Sequence, residues 1–489
     1  MSAATSGTSG RNALLIFAVI GGMFLAMLDQ TIVGTALPRI TVELGGSGLY
    51  TWVVTAYLLT STVTVPLYGG LSDTYGRKPL LLTGISVFLV GSALCGLAQD
   101  MGQLIAFRAV QGLGAGALLP LSLALIMDLL PRERSGQVQG AIGGVMALSY
   151  LAGPFLGGVF TDQASWRWAF YVNIPIGLAL IAIIATRLPH RPGQGRGTRP
   201  DYLGIAVFSA AITALLIGLT EKGLNGNGWS DRPVLGPIAG AVALLAVFVA
   251  VERRAANPIV PLHLFRNRTY TIVNIASFFS AFAMYAGVVF LPRFFQQAHQ
   301  LSATTSGLYI YPVLMGMLIG SFVTGALIGR TGRYKPWLIA SPFLMAAGAL
   351  LCSGLALGTP VWQLIIWMTL LGLGVGPTLS GLTVAVQFAV EPRYIGTASA
   401  NLTFFRQIGG SVALAIAGTA YAAVVAEQAA VAGPPAAHAA ASATVIPWLG
   451  AAGALICLLA LVALPDRRLG APQTSPSGTP ASGVGTAAG

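Results

Sequence analysis

Fourteen apolar stretches, each long enough to cross a bilayer, occupy almost the whole chain. A helix needs about 20 apolar residues to span the hydrocarbon core. Here the stretches run at about 13–36, 50–71, 80–98, 103–128, 137–160, 169–188, 202–220, 234–252, 270–291, 304–328, 337–357, 363–388, 397–424 and 445–464. Closed barrels are the other spanning option, but the sequence lacks their alternating segments of about ten residues. The expected fold class is therefore all-α, a polytopic membrane protein with 14 transmembrane helices. Only 8% of the 489 residues are charged, against about 25% in a soluble chain. The first stretch reads as a retained helix rather than a cleaved leader, because Asp29 interrupts it and no small-x-small site follows cleanly.

Loop charge sets the orientation. With the N-terminus inside, 19 of the 26 Lys and Arg residues fall in inner segments and five in outer ones. Both termini are then cytoplasmic, in the inner membrane of a bacterium. The net charge of +12 faces anionic lipid, so the bilayer is the partner and no nucleic acid is implied. Cys95, Cys352 and Cys457 all lie in apolar stretches without metal-ligand spacing. The four histidines fall in expected loops, so no metal or cofactor is expected.

The chain repeats itself. Gly69, Leu71, Gly76 and Arg77 recur 256 residues later as Gly325, Leu327, Gly332 and Arg333. Gly112, Gly114 and Gly116 recur as Gly372, Gly374 and Gly376. Spans 1–6 thus correspond to spans 9–14, a repeat typical of transporter architecture. The expected organisation is a cytoplasmic N-terminus (1–12), a first six-helix bundle (13–188), an inserted helix pair (202–252), a cytoplasmic linker (253–269), a second six-helix bundle (270–464) and a disordered cytoplasmic tail (465–489).

Only Asp29, Arg108, Asp128 and Arg406 are charged well inside these spans or at their ends. A charge at membrane depth costs roughly 2.5–3.5 kcal/mol on insertion scales and usually marks a pathway or a proton site.

Five motifs surround these residues. Asp29 lies in Leu28-Asp29-Gln30-Thr31-Ile32-Val33. Arg108 opens Arg108-Ala109-Val110-Gln111-Gly112-Leu113-Gly114. Span 5 carries Gly140, Ser149 and Gly153-Pro154-Phe155-Leu156-Gly157-Gly158. The loop after span 2 reads Asp73-Thr74-Tyr75-Gly76-Arg77-Lys78. Span 6 is entered through Trp166-Arg167-Trp168-Ala169-Phe170-Tyr171-Val172-Asn173. Together with Phe405-Arg406-Gln407-Ile408-Gly409-Gly410, they resemble the major facilitator superfamily, and within it the fourteen-span drug:proton antiporter family. The resemblance covers about residues 13–465, with Gly34 where the family usually has Asn, Thr74 where it has Arg, and Ser149 for a glycine.

The resemblance implies two pseudo-symmetric bundles rocking about a central site. Asp29 is then the proton carrier. Desolvation favours its neutral form and a nearby cation its charged form. Arg108 is its modulator, and Gln111 a helix tie. Gly153, Pro154, Gly157 and Gly158 form the motif shared by exporters, with a kink and tight helix contact. Asp73, Gly76, Arg77 and Lys78 with Asp128 form an inner gate. The tryptophans serve mainly as interfacial anchors. Arg406, Gln407, Phe282, Tyr285, Tyr309 and Tyr311 are substrate-pathway candidates.

The function expected is efflux of a small lipophilic substrate in exchange for H+, driven by the proton gradient. Export of a host-made natural product or lipid is the alternative, and a proton-coupled nutrient symporter a weaker one. The sequence has neither a nucleophile elbow nor a GxxxxGK[ST] loop, so neither an enzyme nor an ATP-driven pump is expected. Oligomeric state is left open, a monomer being compatible.

Overall fold

The computed structural model describes residues 5–129, 135–189, 201–224, 228–255, 258, 262–391 and 394–466. The described secondary structure is helical throughout, as lipid demands of a chain whose backbone groups must bond internally. Thirteen segments among the described residues are long and apolar enough to cross a membrane. A further helix of 29 residues, Ser135–Gln163, packs among them.

The helices are α1 (Thr5–Leu44), α2 (Tyr50–Tyr75), α3 (Arg77–Leu97), α4 (Met101–Leu129), α5 (Ser135–Gln163), α6 (Trp168–Tyr171), α7 (Asn173–Arg187), α8 (Tyr202–Leu224), α9 (Arg232–Glu252), α10 (Arg268–Arg293), α11 (Ala303–Tyr309), α12 (Tyr311–Thr331), α13 (Lys335–Leu351), α14 (Val361–Ala389), α15 (Ile395–Ala432) and α16 (Pro434–Val462). Helices α1 to α7 pack mainly on one another, and so do α10 to α16 apart from α11, which packs mainly on α5. The pairs α2/α15, α5/α11 and α1/α10 join the two sets.

The internal repeat acquires a physical meaning. Gly76 (φ 86°) follows α2 and Gly332 (φ 64°) follows α12, so both copies use glycine where a side chain would be strained. In α4, Gly112 and Gly116 lie on α2 and Gly114 on α3, each leaving no room for a Cβ. In α14, Gly372 and Gly376 lie on α12 and Gly374 on α13 in the same way. The spacing thus seats one helix between the same two neighbours in each copy. Lys78 Nζ donates to the carbonyls of Ala185 and Leu188 at 2.7 Å, closing the end of α7. Its counterpart Lys335 donates to the Val462 carbonyl at 3.2 Å, closing the end of α16. A cation on a helix C-terminus satisfies free carbonyls and opposes the helix dipole.

The inserted pair α8 and α9 packs together and lays α8 along the α2/α15 seam. Phe208 of α8 sits 5.1 Å from both Phe248 and Phe404, ring centre to ring centre. Thr419 of α15 donates to the Leu219 carbonyl at 2.7 Å.

Three elements differ from the sequence expectation. The stretch 427–443, expected to be a loop, is helical apart from Gly433, so His438 lies in α16. Alanine is the best helix former. Gly433 (φ 81°) breaks the chain, and Pro434 starts the next helix at a position where its missing N–H costs nothing. Span 10 is split into α11 and α12 ahead of Pro312, and span 6 into α6 and α7 ahead of Pro175. Trp166 is buried beneath the Arg167 guanidinium, 4.3 Å from its ring centre, whereas Trp168 is exposed. The tail from 467 onward, Arg132 and Arg134 lie outside the described residues.

Candidate functional site

Asp29 is the only acidic side chain sealed within the apolar body of the first half among the described residues. It is 0% exposed and Arg108 is 1% exposed. Arg108 Nη1 donates to Asp29 Oδ2 at 2.6 Å. Gln111 Nε2 donates to Oδ1 at 2.7 Å, and Asn173 Nδ2 donates to the same oxygen at 3.1 Å. Both carboxylate oxygens therefore have donors, which is the condition for keeping a charge out of water.

The supporting groups come from five helices besides α1. Arg108 and Gln111 stand one turn apart on α4, where residues three apart share a face. Arg108 Nη1 also bonds Gln111 Oε1 at 2.7 Å, and its Nε donates to the Val53 carbonyl of α2 at 3.2 Å. The Tyr57 ring of α2 lies 4.1 Å from the guanidinium carbon, a cation–π contact. Ser92 of α3 takes hydrogen bonds from Asn173 at 2.9 Å and Gln111 at 3.2 Å, and donates its own proton to the Phe170 carbonyl of α6 at 2.9 Å. Asn173 opens α7. Gln111 is thus more than a helix tie, because it binds the carboxylate directly.

Sequence alone does not single out Asn173 or Ser92. Asn173 is visible inside the tryptophan motif. Ser92 carries no signal beyond being a small polar residue in an apolar run.

The glycine motif of α5 lies against this network. A Cβ on Gly157 would stand 2.6 Å from the Ile32 carbonyl, and one on Gly153 would overlap Thr31. Thr31 donates to the Ser149 carbonyl at 3.1 Å. The other side of α5 meets the second half. Gly158 abuts Thr304, and Gly307 abuts the Pro154 carbonyl too closely for side chains. Asp162, in the last turn of α5, accepts from the backbone N–H of Ala303 (3.0 Å) and Thr304 (2.7 Å). Tyr311 donates to the Leu151 carbonyl at 2.6 Å.

At the same end of the molecule, Tyr50 of α2 donates to the Val289 carbonyl of α10 at 3.0 Å. The Arg293 guanidinium lies between the rings of Tyr50 (4.4 Å) and Tyr421 (4.1 Å). This end of the molecule is closed by contacts between the halves.

The other candidates are dispersed. Lys78 is a cap on α7. Arg77 is half-buried, and the side chains of Asp73 and Asp128 lie outside the described residues. Phe282 packs with Phe278 and Phe279, with ring centres 5.8 and 5.3 Å away. Tyr309 packs edge-on against Phe295. Gln407 accepts a hydrogen bond from Thr62, tying α15 to α2. Arg406 lies on α15 in reach of Tyr285 and Tyr150. No group of three or more His, Cys, Asp or Glu side chains suited to a metal occurs among the described residues.

Comparison with known proteins adds the family. Residues 19–414 match the model described as Major Facilitator Superfamily. The chain is 36% identical over 418 residues to the multidrug transporter protein MdtP of Bacillus subtilis (strain 168), covering 86% of this chain and 77% of the relative. It is 36% identical over 416 residues to multidrug resistance protein 3 of the same organism, covering 84% and 80%. Among solved structures, a bacterial homologue of the human lysosomal transporter Spinster, in an inward-facing and occupied conformation, aligns with a TM-score of 0.63 at 14% identity. That alignment covers 92% of this chain and 96% of that one, and it speaks to fold alone.

Proposed function

The chain belongs to the major facilitator superfamily, and on that premise we propose that it is a fourteen-span drug:proton antiporter exporting lipophilic small molecules across the bacterial inner membrane. It is a multi-pass transporter and not an enzyme. The proton gradient is its energy source, and Asp29 is its proton site. The observation that carries this reading is the Asp29–Arg108 contact of 2.6 Å, buried inside one half of the molecule.

The ion pair supplies the buried carboxylate with its counter-charge. Its donors are divided between helices, with Arg108 and Gln111 on α4 and Asn173 on α7. A small displacement of α1 against α4 removes two donors of Asp29 together. The glycine face of α5 supplies the linkage. It touches α1 two and three residues beyond Asp29, at Thr31 and Ile32, and α11 of the second half on its other side. Movement of the halves thereby reaches α1 through backbone contact, with no side chain free to absorb it. Packed elements of this kind shift between discrete arrangements rather than deform continuously.

We read the end closed by Asp162, Tyr50 and Arg293 as the outer one, with Lys78 and Lys335 at the inner one, in keeping with the basic inner loops. The two sets of helices then act as rocking bundles, and α8 and α9 ride outside them on the α2/α15 seam.

The test is transport in proteoliposomes under an imposed pH gradient, without ATP. An acidic lumen should drive uptake of ethidium or another lipophilic dye by the wild type and should not by Asp29→Asn. Equal uptake by the two proteins sinks the proton-site assignment.

A further inference from the structure

Two nitrogens of the Arg406 guanidinium have no acceptor among the described residues. Its Nε and Nη2 atoms are covered by protein and bond to nothing among the described residues, while the side chain as a whole is partly exposed. These two nitrogens form one edge of the guanidinium fork, the edge whose parallel N–H groups match the two oxygens of a carboxylate. Tyr285 on α10 and Tyr150 on α5 interact electrostatically with the guanidinium. Neither hydroxyl makes a hydrogen bond with a described residue. Three donor-bearing side chains, from both halves of the molecule, are therefore grouped here without a hydrogen-bond acceptor among the described residues.

The local sequence is shaped to hold this arrangement. Gly410, one turn beyond Arg406, lies flat on the Tyr285 ring, and Gly409 lies on the Phe278 carbonyl, each with no room for a Cβ. These glycines bring α15 against α10 and place Arg406 beside Tyr285. The next residue, Gln407, is engaged by Thr62 across the seam. No acidic residue occurs in the apolar spans of the second half, and Asp29 is already committed to Arg108. An unpaired cation at membrane depth is costly, and where it persists its partner arrives with function.

We propose that Arg406, with Tyr150 and Tyr285, is the recognition site for an ionised acid group on the transported molecule, a carboxylate, sulfonate or acidic phenolate on a lipophilic body. This rests on the export reading above and narrows its substrate class. The anion takes the Nε/Nη2 edge, and the two hydroxyls donate to it. Tyr150 belongs to one half and Tyr285 and Arg406 to the other, so a bound anion joins both halves at the centre. Phe278, whose carbonyl meets Gly409, belongs to an aromatic group with Phe279 and Phe282 on the same helix as Tyr285.

Binding without any gradient tests the site apart from proton coupling. The purified full chain is titrated with 1-pyrenebutyrate, its neutral amide and a trimethylammonium analogue of equal length. Wild type is expected to bind the acid at least tenfold more tightly than the amide, and the cation more weakly than either. Arg406→Gln should remove the preference for the acid while leaving amide binding unchanged, and Arg406→Lys should retain part of it. Asp29→Asn should keep the preference, so loss of driven transport in that variant with intact acid selectivity separates the two proposals. Equal binding of acid and amide by wild type, or no binding of either, overturns the anion site. A parallel fall in both for a folded Arg406→Gln, judged by its melting temperature, overturns it as well. If Arg406→Gln does not fold, the wild-type comparison and Arg406→Lys decide.

Discussion

The Asp162 carboxylate at the end of α5 accepts the Thr304 N–H of α11 at 2.7 Å, so one half of the transporter caps the first turn of a helix in the other. Under the rocking motion proposed above this contact must break, and its strength sets part of that cost. An acidic residue at a helix start satisfies free N–H groups and meets the positive end of the helix dipole.

Replacing Asp162 with Ala should therefore loosen this end selectively. A lost cap costs about 1 kcal/mol, enough for a several-fold rise in amide exchange across residues 303–309. Exchange in α3 and α4 should stay the same. Unchanged protection of 303–309 would show that the cap does not hold the closure.

Removing one member of the buried pair leaves the other without its counter-charge. Breaking such a pair costs about 3–5 kcal/mol, so Arg108→Gln alone should lower the melting temperature markedly. Adding Asp29→Asn should recover part of that loss, because the double variant buries no charge there. It should nonetheless fail to couple transport to a pH gradient. A double variant no more stable than Arg108→Gln alone argues against the pair as described.

Gly157 and Gly329 form a matched comparison. A Cβ at Gly157 would stand 2.6 Å from the Ile32 carbonyl, whereas nothing lies within 4 Å of one at Gly329. Overpacking costs about 1–3 kcal/mol, so Gly157→Ala should destabilise the protein and slow dye transport. Gly329→Ala should do neither. The proposed route from α5 to α1 is wrong if the two variants transport alike.

Lys78 and Lys335 do the same work in the two halves. Loss of either ammonium should cost about 0.3–1 kcal/mol, read as a small fall in melting temperature for Lys78→Met and for Lys335→Met. Transport should survive in Lys335→Met. Abolition of transport by Lys78→Met with no change in stability would instead give that lysine a part in gating.

The pairing of Asp29 with Arg108 is legible in the amino-acid sequence. A charge in an apolar span is rare enough to stand out, and only an opposite charge at like depth can offset it. The glycine repeats are legible for a similar reason, since a side chain there would keep two helices apart. Asn173 and Ser92 are harder to find. A neutral polar residue can bond within its own helix, so its presence in a span does not point to a distant partner. Lys78 beside Asp73 and Arg77 reads as part of a gate, yet its ammonium lies on the end of α7. A lysine stem reaches several places, and sequence does not tell which carbonyls stand there. The helix through 427–443 is hidden because alanine and proline together suggest a loop. The alanines build helix on both sides of Gly433, and Pro434 occupies a helix start.

Apolar length, the placement of basic loops and the spaced glycines are enough to establish a repeated helical membrane protein with a buried acid in its first span. These are properties of each segment against lipid, and they hold wherever the neighbouring segments lie. Only the tertiary structure decided that Asp29 is held by three side chains from α4 and α7, that α5 touches α1 and α11 at once, and that two nitrogens of Arg406 have no acceptor among the described residues. Those facts depend on which faces meet across hundreds of residues of chain, and packing alone determines that.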